Sequence, residues 1–283
     1  MAIVLGTLDD LDQAVGVLRE WQVEGAPMQL HPGDLGWFRR FGAGTGAVRS
    51  WRRDGRVLAL GLLDGPGLLR LTTAPDVRRD PELARRMCED IAEPARGVLP
   101  EGEAAVDSPT GLLLKDFLSE AGWTPGEPWT PLHRDLSHPV EDPGVRVEVV
   151  GPERVAERVA VQRAAFDGST FSEERWLTMA AGVAYADARC LVAYEQDDAV
   201  AAVTVWSAGP GKPGLLEPMG VHRDHRGRGY GKAISVAAAA ALRDLGSSSA
   251  VVATPSANAG AVATYRSAGF RALPEIRDQV RAG

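Results

Sequence analysis

Seven residues, Arg226-Gly227-Arg228-Gly229-Tyr230-Gly231-Lys232, join an apolar run, Leu215 to Val221, to an alanine-rich run, Ala233 to Leu245, that Gly246 closes. The apolar run predicts a strand and the alanine-rich run a helix, with the glycine at its C-terminal stop. The arginine and glycine segment therefore lies at a helix N-terminus. Backbone N–H groups there lack intrahelical acceptors, and the helix dipole favours an anion by about 0.3–1 kcal/mol when exposed. Three glycines at alternate positions let the backbone approach a ligand without Cβ clashes, and Arg226, Arg228 and Lys232 add positive charge. The ligand expected on these grounds is a phosphate group.

Spacing excludes two familiar glycine loops. A dinucleotide fingerprint starting at Gly227 needs a third glycine where Lys232 stands. A P-loop ending at Gly231-Lys232 needs glycine at Arg226 and Ser or Thr at Ala233. The residues fit Arg/Gln-x-x-Gly-x-Gly instead, with Val221 five residues ahead of the arginine. One predicted strand later, Ala250 to Thr254, a second block carries Asn258, Ala261, Tyr265, Gly269 and Phe270. In spacing and order the two blocks together resemble the GNAT superfamily of acyl-CoA-dependent N-acyltransferases. The resemblance implies an α/β (α+β) fold, a mixed, mostly antiparallel twisted sheet flanked by helices.

A fainter copy of the same plan precedes this one. Leu71 to Leu83 lies where a second phosphate loop belongs, and Arg78 stands 44 residues before Gly122 as Arg226 stands 43 before Gly269. Leu113 to Trp123 echoes Thr264 to Phe270, and each copy opens on a predicted helix after an acidic start, Leu8 to Trp21 and Pro152 to Phe166. Between them, Ser137 to Gly144 is polar and proline-rich. The expectation is two tandem GNAT-like domains: a degenerate one over 1–137, a linker over 138–144 and a catalytic one over 145–283. In architecture the tandem is similar to the mycothiol synthase family. Pro81 and Leu83 occupy the positions of Gly229 and Gly231, and Leu118 that of Tyr265. Proline has no N–H to donate and leucine puts a side chain where a pyrophosphate would approach, so the first copy is expected to bind no acyl-CoA. It would pack on the second, or wall the acceptor site through Trp37 or Trp51.

At 283 residues, with 45% hydrophobic and 24% charged residues, the chain can build two ordinary cores. No apolar run is long enough to span a membrane, and MAIVLGTLDDLDQ turns acidic too early for a signal peptide, which predicts a cytoplasmic protein without a membrane partner. The net charge of −7, with no basic stripe, argues against nucleic acid and suits a cationic amine. Cys88 and Cys190 read as reduced structural thiols. His222 and His225 lack a third ligand at a familiar spacing, so no metal is expected.

The resemblance also implies roles for particular residues. Acetyl-CoA, or another short acyl-CoA, would lie along the backbone of Met219, Gly220 and Val221 with its phosphates on residues Arg226 to Lys232, and Asn258 would hold cofactor or water unless it caps the following helix. Tyr265 would stand beside the thioester sulfur, to protonate or hydrogen-bond the departing thiolate. An aliphatic ammonium must lose a proton before it attacks, and Glu217 is the candidate base, the one ionisable side chain between Leu215 and Val221, with a pKa open to elevation by its apolar neighbours. No nucleophile motif for a covalent enzyme appears, so transfer would be direct within a ternary complex. Phe166, Phe171, Trp176, Met179 and Trp206, with Asp167, Glu173 and Glu174, are the candidates for acceptor selection. The expected function is N-acetylation of a primary amine on a small molecule or peptide by a monomer or homodimer. An acyl-CoA-binding regulator or scaffold without turnover is the alternative.

Overall fold

Strands and helices succeed one another twice in the same order in a computed structural model that describes residues 2–8, 11–42 and 46–283. The first half runs β1 (Val4–Leu8), α1 (Leu11–Trp21), α2 (Pro32–Phe38), β2 (Val48–Arg53), β3 (Arg56–Leu63), β4 (Leu68–Thr73), α3 (Pro81–Ala92), β5 (Ala104–Asp107), α4 (Leu114–Glu120) and β6 (Thr124–Asp135). The second runs β7 (Arg146–Val149), α5 (Val155–Ala165), α6 (Glu173–Ala180), β8 (Ala188–Glu195), β9 (Asp198–Ser207), β10 (Pro213–Val221), α7 (Tyr230–Asp244), β11 (Ser249–Pro255), α8 (Ala259–Ser267), β12 (Arg271–Ala272) and β13 (Ile276–Arg281). The repeated order agrees with the tandem plan expected from the sequence. The acidic start foreseen at Asp9 and Asp10 lies outside the described residues.

All thirteen strands of the described residues join one twisted sheet, in the order β1-β2-β3-β4-β5-β13-β6-β11-β10-β9-β8-β7 with β12 against β6. Most pairings are antiparallel; β4 with β5 and β10 with β11 are parallel. The last strand of each half lies beside the other half's parallel pair. β13 pairs β5 through Gln279 with Val106, and β6 pairs β11 from Trp129 with Pro255 to Asp135 with Ser249. A side-chain bond holds this exchange: Gln279 donates to the Lys115 carbonyl on α4 at 3.1 Å.

Three apolar clusters fill the molecule. One lies under α3 and α4 of the first half, around Trp51, Leu83, Met87 and Leu118. Another lies under α7 and α8 of the second, around Ile234, Leu242, Tyr265 and Phe270, and takes in Leu132 and Leu136 from β6 or just after it. The third belongs to neither half alone, because Leu18, Leu35 and Leu60 share it with Met179, Cys190 and Trp206. Its tightest contact is α2 on β9. A Cβ at Gly33 or Gly36 would come within 2.5 or 2.4 Å of the Trp206 ring, so the i,i+3 glycines form the slot that the indole fills. No helix among the described residues is long and apolar enough to cross a membrane.

Candidate active site

The β10–β11 pair opens as it runs. Parallel pairing covers only Pro213 to Leu215, after which β10 continues to Val221 with β9 on one side and, among the described residues, no ladder partner on the other. His222 N–H donates to Val200 on β9 at 2.8 Å, so alternation along the strand turns the backbone groups of Val221 and Met219 toward the open side and those of Gly220 toward β9. Gly220 has a packing reason of its own: a Cβ there would meet Ala165 and Phe166, at the end of α5, at 2.6 and 2.8 Å.

Helix α7 starts at the mouth of this opening. Its N-cap is Gly229, at φ 89°, where no side chain caps the helix, and among the described residues no group outside the helix accepts from its first N–H groups. Gly227 also has positive φ, 77°. Gly231 serves helix packing, since a Cβ would approach Thr264 on α8 to 2.8 Å. The two arginines of the loop have partners within the chain. Arg226 donates to the Ala165 carbonyl at 2.7 Å, and Arg228 donates to Glu195 at 3.2 Å. Glu195 also receives the Tyr230 hydroxyl and contacts His225 Nδ1 at 3.2 Å, and so braces the loop from β8. Lys232, exposed in the first turn of the helix, makes no salt bridge among the described residues, although its charge acts on Glu141. What this loop leaves open at the start of α7 is its backbone.

The equivalent helix of the first half is closed. Asp80 caps α3, its carboxylate accepting the N–H groups of Glu82 and Leu83 at 2.9 and 3.1 Å, with Pro81 at the first position. An internal carboxylate there fills the place that α7 leaves to an anion.

Beyond the glycine loop, Tyr265 on α8 is almost wholly buried in the second half's core and edge-on to Phe270 at 5.7 Å. Burial first, and the charge of Glu217 second, raise its hydroxyl above the usual range. Asn258 takes the capping role: its Oδ1 accepts the Ala261 N–H at 3.1 Å.

Glu217 sits where β10 breaks register with β9, between Leu216 and Met219, and the Glu217–Pro218 peptide is cis. Trp206 Nε1–H donates to the Glu217 carbonyl at 2.7 Å and fixes the backbone at this bulge. The side chain points to the first half. Arg70 on β4 reaches Glu217 Oε1 at 3.6 Å, Asp34 Oδ1 at 2.9 Å, Asp107 at 3.4 Å and Asp64 at 3.5 Å. Burial raises Glu217 to about 8; Arg70 opposes the rise, and the Asp34 carboxyl, hydrogen-bonded to Glu217, adds to it. Asp34 is also raised, for the same first reason.

Neighbouring residues that the sequence singled out divide between core and surface. Phe171, Trp176, Met179 and Trp206 are buried in the shared core, and Trp51 is buried in the first half's core with its indole N–H on Asp90 at 3.0 Å. Trp37 stacks on Phe171 at 5.2 Å across the halves. Phe166 is 38% exposed, Asp167 pairs with Arg223 at 3.0 Å, and Glu173 and Glu174 lie in the first turn of α6. His222 and His225 stack edge to face at 5.4 Å. Among the described residues no group of three or more His, Cys, Asp or Glu side chains is placed to hold a metal. Asp34 and Arg70 were absent from the sequence reading. Nothing in their local sequence marks them; only the docking of α2 and β4 against β10 brings them to Glu217.

A cavity of about 250 Å³ between the α1–α2 segment and β10, β11 and β6 is lined by residues such as Glu24, His31, His133 and Ser249, and by none of Glu217, Tyr265 or the glycine loop.

Residues 158–270 match the family model described as acetyltransferase (GNAT) family. This segment is similar to that family. It holds all of the glycine loop, Glu217 and Tyr265. No curated protein matches the chain. Among solved structures the chain is similar to a GCN5-related N-acetyltransferase from Sphaerobacter thermophilus, at 19% identity and TM-score 0.59 over 99% of this chain and 95% of that one. It is similar to a tandem GNAT protein from the clavulanic acid biosynthesis pathway, at 18% identity and TM-score 0.62 over 99% and 98%. A GNAT-family acetyltransferase from Colwellia psychrerythraea gives 16% identity and TM-score 0.60 over 99% of both chains. These likenesses extend the GNAT fold over both halves.

Proposed function

We propose that the chain is an acyl-CoA-dependent N-acetyltransferase in which residues 145–283 form the catalytic domain, residues 1–137 a domain that binds no cofactor, and residues 138–144 the link between them. The observation that carries this reading is the contrast between the two equivalent helices, α7 left open by Gly229 and α3 closed by Asp80. Acetyl-CoA is the donor this site fits: its phosphates would lie on the backbone of Gly227 to Lys232 and its pantetheine along Met219 to Val221. When bound it supplies an acetyl thioester to the acceptor amine.

The chain's own groups then have two proton tasks. Glu217, as carboxylate, takes a proton from the acceptor ammonium and leaves a neutral nucleophile; a carboxyl raised to about 8 holds that proton far better than an ordinary glutamate at neutral pH. Tyr265 keeps its proton and donates a hydrogen bond to the leaving thiolate, which stabilises the charge that develops on sulfur. The acceptor is a primary amine of a small molecule or peptide entering between the halves at Glu217.

Calorimetric titration with acetyl-CoA tests the cofactor site. Wild type should bind one equivalent per chain. Gly229→Asp, which places a carboxylate where Asp80 stands in α3 at a positive φ that Asp tolerates better than most residues, should weaken binding at least tenfold while Asp80→Ala leaves it unchanged. Equal affinity in all three proteins would remove the glycine loop as the cofactor site.

A further inference from the structure

The first half has a closed helix where the second has an open one, yet it reaches the second half's chemistry at one point. Arg70 leaves β4 with its guanidinium among four carboxylates: Asp34 from α2, Asp64 from the β3–β4 turn, Asp107 from β5 and Glu217 from β10. Only Glu217 belongs to the second half. Asp34 is fully enclosed, with 1% of its side chain exposed, and its second oxygen accepts the His31 N–H at 2.6 Å. Its orientation is therefore set by the N-terminus of α2, and α2 itself is fixed on Trp206 by the glycine slot.

Resting on the reading of Glu217 as the base, we propose that Arg70 and Asp34 are positioning residues through which the cofactor-free first half sets when Glu217 can accept a proton. Two opposed influences converge on one carboxyl. The guanidinium stabilises the Glu217 carboxylate, whereas the adjoining Asp34 carboxyl shares its hydrogen bond and, when ionised, repels it. The other charged or titratable groups facing this point are Asp64, Arg40 in the turn after α2 and Tyr265 on α8; Asp107 and Asp278 on β13 act on Arg70 from the far side. The two positioning residues thus push in opposite directions, and that opposition separates the proposal from a merely structural ion cluster.

The test is a carboxyl-carbon NMR titration of the full chain labelled at glutamate, with the Glu217 signal assigned by its loss in Glu217→Gln. Asp34→Asn, which keeps an oxygen for the His31 N–H, should lower the Glu217 midpoint by about one pH unit or more. Arg70→Gln should raise it by a similar amount, and Arg70→Lys should return it toward wild type. Should Arg70→Gln not fold, Asp34→Asn and Arg70→Lys still carry the test. Midpoints unmoved in Asp34→Asn, or moved the same way by Asp34→Asn and Arg70→Gln, would overturn the proposal. The base reading is judged separately, from thiol release by acetyl-CoA with a panel of primary amines across pH. If the NMR midpoints move as expected and the acid limb of the rate profile follows them, both stand. If the midpoints move and the limb does not, Arg70 and Asp34 still set the protonation of Glu217 but Glu217 is not the base.

Discussion

At the scale of single residues, the proposed chemistry depends on how burial separates Tyr265 from Glu217. Tyr265 and Glu217 are both pushed toward their neutral forms, but they begin from ordinary values several units apart, so burial leaves one a proton holder and brings the other to the edge of neutrality. Removing the phenol oxygen should then affect the reaction and spare the fold. Tyr265→Phe keeps the ring against Phe270, and turnover should fall by about 10²-fold while acetyl-CoA affinity stays within a factor of about two. Steady-state rates beside calorimetry on the same protein decide it; a wild-type rate would end the acid role. Glu217 stood out in the sequence as the one ionisable side chain between Leu215 and Val221, and Tyr265 by its spacing from Asn258 and Gly269; the roles proposed for them rest on the resemblance. What a count of charges ahead of a helix cannot reveal is that Arg226 also bonds the Ala165 carbonyl and Arg228 the Glu195 carboxylate.

At the scale of elements, α2 is the piece that joins the halves, and a neutral histidine anchors it. His31 caps the helix by accepting the Gly33 N–H on Nδ1 at 2.9 Å, while its Nε2 lies 3.1 Å from the Pro213 carbonyl at the start of β10. A carbonyl can only accept, so Nε2 carries the hydrogen and Nδ1 is bare. Protonation would set an N–H against an N–H. Burial, with smaller help from Arg19 and Arg70, accordingly lowers His31 to about 4. The folded protein keeps this ring neutral where the unfolded chain binds a proton, so its contribution to stability is complete above about pH 6.5 and is lost as pH falls toward 4, by up to about 3 kcal/mol. Thermal melts at pH 7 and 4.5 should show a larger fall in Tm for wild type than for His31→Gln, and an equal fall would mean that His31 is protonated in the fold. Gly36→Ala should also lower Tm, by overpacking the Trp206 slot at a cost of about 1–3 kcal/mol. The helix itself was not foreseen: Pro32 to Phe38 holds two glycines, poor formers of an isolated helix, whose value appears only with an indole to pack on.

At the scale of the whole molecule, the repeat was legible and the exchange of strands was not. Matched spacings around Arg78 and Arg226 revealed two copies, because a repeat lives along the sequence. Which parallel pair accepts β6 or β13 is a choice between near-equivalent edges, decided by side chains that meet only after folding. The consequence is thermodynamic. β13 lies between β5 and β6, β6 lies against β11, and one apolar cluster draws Leu18, Leu60 and Trp206 together, so neither half can open without exposing strand edges and core of the other. Two domains joined only by a linker would unfold in two steps; these should unfold in one. Hydrogen exchange measured across a denaturant series should show the amides of β5 and β11 losing protection at the same concentration, with Val106 on the first and Val252 on the second as reporters. Protection lost first from β5, with β11 intact, would mean that the second half keeps its sheet closed without β6, and that the shared core adds contact without coupling.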